Sequence, residues 1–114
     1  MTAVVEVIIV NWNGVAYLGP CLDSLLKQNM APGMFRITVV DNGSSDGSLE
    51  LLRSKYPQVN LIALDKNHGF ARANNVAIEK SDADYIALLN NDTEADGAWL
   101  SELCRVVKMD DKTG

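Results

Sequence analysis

Residues Val4-Val5-Glu6-Val7-Ile8-Ile9-Val10 form a β-branched run with a single charged residue. Such a run has no continuous polar face. It reads as a strand buried on both faces, and strands of that kind belong to parallel sheets covered by helices. The rest of the chain repeats the theme. Leu18, Cys21, Leu22, Leu25 and Leu26 recur at i, i+3, i+4, i+7 and i+8, the stripe of an amphipathic helix. Pro20 is expected in the first turn of that helix or at a kink. Pro32-Gly33 closes the connection, and Ile37 to Val40 reads as a second strand. A turn-rich segment from Asp41 to Ser48 offers several N-caps to a helix around Leu49 to Ser54. A third strand covers Val59 to Leu64, a turn Asn67-His68-Gly69, a helix Phe70 to Lys80, and a fourth strand Asp84 to Leu89. Asp96 is placed to cap a last helix with Trp99, Leu100, Leu103, Cys104 and Val107 on one face.

Four strands alternating with helices imply a parallel sheet with right-handed crossovers and helices on both faces, an α/β Rossmann-like arrangement. The expected strand order is 3-2-1-4, which puts the switch point between the first and fourth strands. Ligands in such sheets lie beyond the carboxyl ends of the strands at that point.

Composition narrows the function. The 114 residues suit one domain; 47% are apolar and 22% charged, which argues against disorder and against a disulfide scaffold. Ten Lys and Arg against fifteen Asp and Glu leave a net charge of -5, with no basic cluster to follow a phosphate backbone, so no nucleic-acid partner is expected. No apolar run is long enough to span a bilayer, and Val4 to Val10 lacks the flanks of a signal peptide. The expected location is the cytoplasm, or the inner membrane face through further segments or partners. Cys21 and Cys104 fall on apolar helix positions and read as buried free thiols.

The segments after the strands carry the chemistry. Asn11-Trp12-Asn13-Gly14 follows the first strand. It is neither the glycine-rich dinucleotide fingerprint nor a P-loop. A flat aromatic between two amides suits a nucleobase, although Trp12 could equally cap the core. Asp41 ends the second strand and can accept from a base N–H or a ribose hydroxyl, or serve only its own turn. Asn90-Asn91-Asp92-Thr93-Glu94 follows the fourth strand. Asp92 fits the single protein carboxylate that Mg2+ or Mn2+ needs beside diphosphate oxygens; a polar helix-capping loop is the plainer reading. A 3-2-1-4 sheet gathers all three segments at one crevice, a site for a nucleoside diphosphate.

Four motifs across nearly the whole chain resemble family 2 glycosyltransferases of the GT-A fold. They are Val7 to Gly14, Val39-Val-Asp-Asn-Gly-Ser-Ser-Asp-Gly-Ser48, Asn67-His-Gly-Phe-Ala-Arg-Ala-Asn-Asn75, and Leu88-Leu-Asn-Asn-Asp-Thr93. The closest resemblance is to the rhamnosyltransferase-like branch. It implies that Trp12 stacks on or lines the base, with Asn11 and Asn13 shaping the pocket and Asp41 binding uracil or thymine. It further implies that Asn74 and Asn75 support the donor pocket, that Arg72 can reach the diphosphate, and that Asn90, Asn91 and Asp92 form the Asp-x-Asp motif. Asp92 is then the ligand of Mg2+ or Mn2+, and Asn90 replaces the first acid. His68 is expected to have a structural role in its turn.

The implied activity is inverting transfer of a sugar from a UDP- or dTDP-sugar to a hydroxyl of a sugar, lipid-linked or protein acceptor. Residues 1–114 would form a single donor-binding, N-terminal portion of the domain. The family's general base is expected beyond the C-terminus, with Glu94 and Asp65 read as solvated loop residues. An isolated half-domain is expected to associate with itself through its open sheet edge. The alternative is a non-catalytic nucleotide- or sugar-nucleotide-binding module. A receiver-like signalling domain is more distant, because the acidic pair it needs after the first strand is replaced here by Asn11-Trp12-Asn13.

Overall fold

A computed structural model of the chain describes residues 4–28, 33–94 and Gly97. Strands and helices alternate as β1 (Val5–Asn11), α1 (Val15–Leu26), β2 (Phe35–Asp41), α2 (Ser48–Lys55), β3 (Asn60–Ala63), α3 (Phe70–Lys80) and β4 (Tyr85–Asn90). The sheet is parallel throughout, in the order β3-β2-β1-β4, as the sequence implies. β1 is central. Its last residues Val10 and Asn11 pair with Val40 and Asp41 on one side, and Val10 pairs with Asn90 on the other.

Alternation along β1 divides the core into two layers. Val5, Val7 and Ile9 pack with Leu18, Cys21, Leu22 and Leu25 of α1 and with Leu52 of α2. Ile8 and Val40 face the other way, onto Ala73 and Ala77 of α3. Two alanines let that helix lie close to the sheet. Both faces of β1 are therefore covered, which is why its sequence carries no polar alternation.

The exception inside the strand is Glu6, which is buried and fully used. Its carboxylate accepts from Thr38 Oγ1 at 2.5 Å, from Arg36 Nε at 3.1 Å and from the Ser81 hydroxyl. Arg36 also pairs with Asp82, so the start of β2 is tied to the α3–β4 turn. Burial pushes the Glu6 carboxyl up, but the bonds from Ser81, Thr38 and Arg36 and the Arg36 charge hold it below the ordinary carboxylate value.

Two local expectations need adjustment. α1 starts at Val15, so Pro20 lies in its second turn, not its first, and donates no bond to the Ala16 carbonyl. β3 is shorter than its apolar stretch, Asn60–Ala63, because it pairs only with the last four residues of β2. The expected Asp96-capped helix and Cys104 lie outside the described residues. Among the described residues, no helix is long and apolar enough to cross a membrane.

Candidate functional site

A cleft of about 320 Å³ opens at the carboxyl ends of β1 and β4, the switch point of the sheet. It is lined by Val10, Trp12, Asn42, Asn67, Phe70, Asn90, Asn91 and Asp92. Trp12 and Phe70 are large apolar side chains left 53% and 58% exposed, and both belong to this wall. Exposed aromatics beside a row of amides suit a ligand with a flat face and polar edges.

The expected site residues divide into two sets. Trp12, Asn90, Asn91 and Asp92 line the cleft. Asn11, Asn13 and Asp41 do not; they build the structure behind it. Asn11 and Asp41 are both fully buried. Asn11 Nδ2 donates to Asp41 Oδ1 at 3.1 Å and to Ser44 Oγ at 3.4 Å, and its Oδ1 accepts from Asn91 Nδ2 at 2.9 Å. The second Asp41 oxygen accepts from the Ser44 N–H at 2.9 Å. Strand register explains the direction: Asn11 and Asp41 are paired neighbours and point toward the α1 face. Asn42, one residue on, reaches the cleft instead.

Asn13 adopts a left-handed backbone, φ 49°, which asparagine tolerates better than most residues. Its Oδ1 accepts from the Ser45 N–H at 2.8 Å, while its own N–H donates to Ser44 Oγ at 2.9 Å. Asp46 adds a third tie, accepting from the Val15 N–H at 2.9 Å and so capping α1 from the neighbouring loop. The β1–α1 and β2–α2 loops are thereby zipped together.

Asn42, Asn67 and Phe70 also line the cleft, although sequence alone does not mark them as site residues. Asn42 Oδ1 accepts from the His68 N–H at 2.9 Å, and its Nδ2 donates to Asn67 Oδ1 at 3.2 Å and to the Gly69 carbonyl at 3.3 Å. Asn67 Oδ1 also accepts from the Gly69 N–H at 2.8 Å. One buried amide thus pins the β3–α3 turn that carries Asn67 and Phe70. Gly43 makes the approach possible: its φ is +82°, and a Cβ there would lie 2.6 Å from the Lys66 backbone. His68 caps this turn through its backbone and pairs its ring with Asp65 at 2.8 Å.

On α3, Arg72 and Asn75 are exposed and Asn74 is buried; none of the three lines the cleft. Asn74 Nδ2 donates to the Phe70 carbonyl at 3.3 Å, and its Oδ1 is buried without a protein partner.

Among the described residues, Asp92 is the one carboxylate in the cleft lining, and it is exposed. Among the described residues there is no group of three or more His, Cys, Asp or Glu able to enclose a metal. One carboxylate with nearby amide oxygens matches a hard cation whose remaining ligands are phosphate and water oxygens, the usual habit of Mg2+. Beneath this loop, Cys21 is buried as expected and points its Sγ at the Asn90 carbonyl, 3.7 Å away. Burial, with the nearby Asp92 charge, pushes its thiol up to about 11, so it stays protonated and can donate.

Fold and cleft define an α/β domain of the Rossmann-like class with its ligand site at the switch point. Comparison with known proteins identifies the family. The profile of glycosyl transferase family 2 matches residues 6–114, and the chain belongs to that family. It is 31% identical over 99 residues to glycosyltransferase AglE of Haloferax volcanii, an alignment covering 84% of this chain and 33% of the relative. It is 30% identical over 92 residues to a teichoic acid poly(glycerol phosphate) polymerase of Staphylococcus epidermidis, covering 77% of this chain and 12% of that protein. The structure of Staphylococcus aureus TarS in complex with UDP superposes with a TM-score of 0.81 at 24% identity, over 96% of this chain and 32% of that one. The mannosyltransferase PcManGT of Pyrobaculum calidifontis, in complex with GDP-Man and Mn2+, superposes with a TM-score of 0.71 at 23% identity, over 81% and 28% of the two chains. These likenesses establish the GT-A fold. The chain spans one-third or less of the length of each of these relatives.

Proposed function

We propose that the chain is the donor-binding portion of an inverting glycosyltransferase that uses a UDP- or dTDP-sugar, with Mg2+ or Mn2+ on the diphosphate. The cleft carries this reading: exposed aromatics and amides stand with one exposed carboxylate at the switch point of the sheet. Trp12 stacks on the base, and Asn42 and Asn67 face its polar edge. Asp41 and Asn11 act from behind by fixing the turn that presents Asn42, and Asn13 fixes the loop that presents Trp12. Asp92, with Asn90 beside it, holds the cation. A cation held there would supply charge neutralisation at the leaving diphosphate. Arg72 reaches toward the phosphates from α3, and Asn74 and Asn75 support that wall.

The solved relatives in complex with UDP and with UDP-GlcNAc support a uridine donor, and the complex with GDP-Man and Mn2+ supports the metal. The acceptor is a hydroxyl of a sugar, lipid-linked or protein partner, and its general base belongs to the part of the domain that this chain does not span. The Asn-Asn-Asp-Thr motif favours the rhamnosyltransferase-like branch. A protonated, buried Cys21 fits a cytoplasmic setting.

Calorimetry with UDP, dTDP and ADP in the presence of Mn2+ tests the reading. UDP and dTDP bind and ADP binds poorly. Trp12→Ala weakens UDP by about 1–3 kcal/mol, the worth of one stacked base. Absence of UDP binding, or unchanged binding by the Trp12 variant, refutes it.

A further inference from the structure

The amides behind the cleft form a chain with a direction. Asp41 as a carboxylate only accepts hydrogen bonds. The Asn11 group facing it must therefore be the donating Nδ2, at 3.1 Å. That leaves Asn11 Oδ1 on the opposite side, where it needs a donor, and Asn91 Nδ2 supplies one at 2.9 Å. Asn11 is fully buried, so its amide depends on these partners rather than on bulk water. The space is fitted to it: a Cβ on Gly14 would lie 2.7 Å from Asn11 Oδ1 and would collide with Asn91 Nδ2. At the far end, Asp41 and Ser44 order the turn on the base side of the cleft. At the near end, Asn91 stands between Asn90 and Asp92, both cleft residues.

We propose that Asn91 is a positioning residue: its amide, oriented through Asn11 by the Asp41 carboxylate, sets the loop that presents Asp92 and couples the metal side of the cleft to its base side. The proposal rests on the donor-site reading above. With Asp41 in place, what position 91 must supply is a hydrogen-bond donor, which the neutral Asn91 amide does.

The polarity of the chain makes a distinctive test. Asn91→Asp puts a carboxylate against Asn11 Oδ1, acceptor against acceptor. Asp41→Asn removes the charge that fixes the direction; the amides of Asn11 and Asn91 can turn over together and keep their pairings, so this variant is the milder of the two. The double variant restores the pairings along the chain with the Asn11 amide turned over, the Ser44 hydroxyl rotating to donate to Asn11 Oδ1 where it accepts from Nδ2 in the parent. Position 41 then donates to Asn11 Oδ1 while still accepting from Ser44, and Asn11 Nδ2 donates to the new carboxylate at position 91.

The experiment measures UDP affinity with Mn2+, together with thermal melts without ligand, for the parent, both single variants and the double variant. Asn91→Asp weakens UDP about 10-fold or more, although it adds a carboxylate beside the metal, and it lowers Tm. The double variant returns to within about 3-fold of the parent and regains Tm. If Asn91→Asp fails to fold, a folded double variant carries the same conclusion. Additive losses in the double variant, an unfolded double variant, or tighter binding by Asn91→Asp overturn the proposal. If the melts show compensation but no protein binds UDP, the donor-site reading has failed while the polarity of the amide chain stands. If UDP binds but compensation is absent, the reverse holds.

Discussion

Gly14→Ala should cost more than a buried methyl group would suggest, and the structure says why. The Gly14 backbone, at φ -112° and ψ 33°, carries no strain that only glycine could relieve. The cost is steric and local. The new Cβ would overlap Asn91 Nδ2 and sit 2.7 Å from Asn11 Oδ1, which is held in place by Asp41. The Asn91 amide has to swing away, leaving a buried acceptor without a donor, at about 1–3 kcal/mol. Loss of a good N-cap residue at the start of α1 adds a smaller penalty. Gly19, inside α1, is the internal control. The nearest atom to a Cβ there is Tyr56 Oη at 3.6 Å, an ordinary contact. Gly19→Ala should therefore stabilise the helix by about 0.5–1 kcal/mol. For a domain of this size each kcal/mol moves Tm by about 4–8 °C. Circular-dichroism melts of the parent and the two variants should then shift in opposite directions, with Gly14→Ala lower by roughly 5–20 °C. Equal or same-sign shifts would refute the argument that Gly14 exists to admit the Asn91 amide.

Two further outcomes follow from other parts of the sheet. The folded Glu6 carboxyl lies below its ordinary value of 4.5, so it adds stability above that pH that is lost as pH falls through the folded value. Urea titrations from pH 7 to pH 3 should show the parent losing its advantage over Glu6→Gln only below about pH 4.5; a constant gap would contradict this. β4 lies at the edge of the described sheet with Ile86 39% and Leu88 52% exposed on its α3 side, and the chain should self-associate there. Light scattering should report a dimer or larger species that Leu88→Lys converts toward monomer, whereas a monomeric parent would rule the association out.

Much of this architecture is legible from local pattern. The apolar run of β1 and the alternation with helices lead to a parallel sheet covered by helices; its order of 3-2-1-4, which matches the expectation, puts the switch point at the cleft. What the sequence conceals is which of several similar polar residues face it. β1 is apolar on both sides, so its composition gives no parity from which to tell Asn11 from Trp12. Asp41 and Asn42 pose the same problem at the end of β2. The pairing of Asn11 with Asp41 decides it: both turn inward, and the residues after them turn to the cleft. In sequence, Asn67 and Phe70 read only as a turn and a helix start. Their approach to the cleft depends on Asn42 and on the close packing of Gly43 against Lys66, contacts between loops far apart in sequence.

The most direct test of the donor site is the Mn2+ dependence of UDP affinity in the parent and in Asp92→Ala. Among the described residues, Asp92 is the only carboxylate lining the cleft. Titration calorimetry with and without Mn2+ should show the metal tightening UDP binding to the parent by about 10–100-fold, with that gain lost in Asp92→Ala. The same Mn2+ dependence in both proteins would contradict the assignment of Asp92 and, with it, the account of the cleft as a metal-assisted nucleotide-sugar site.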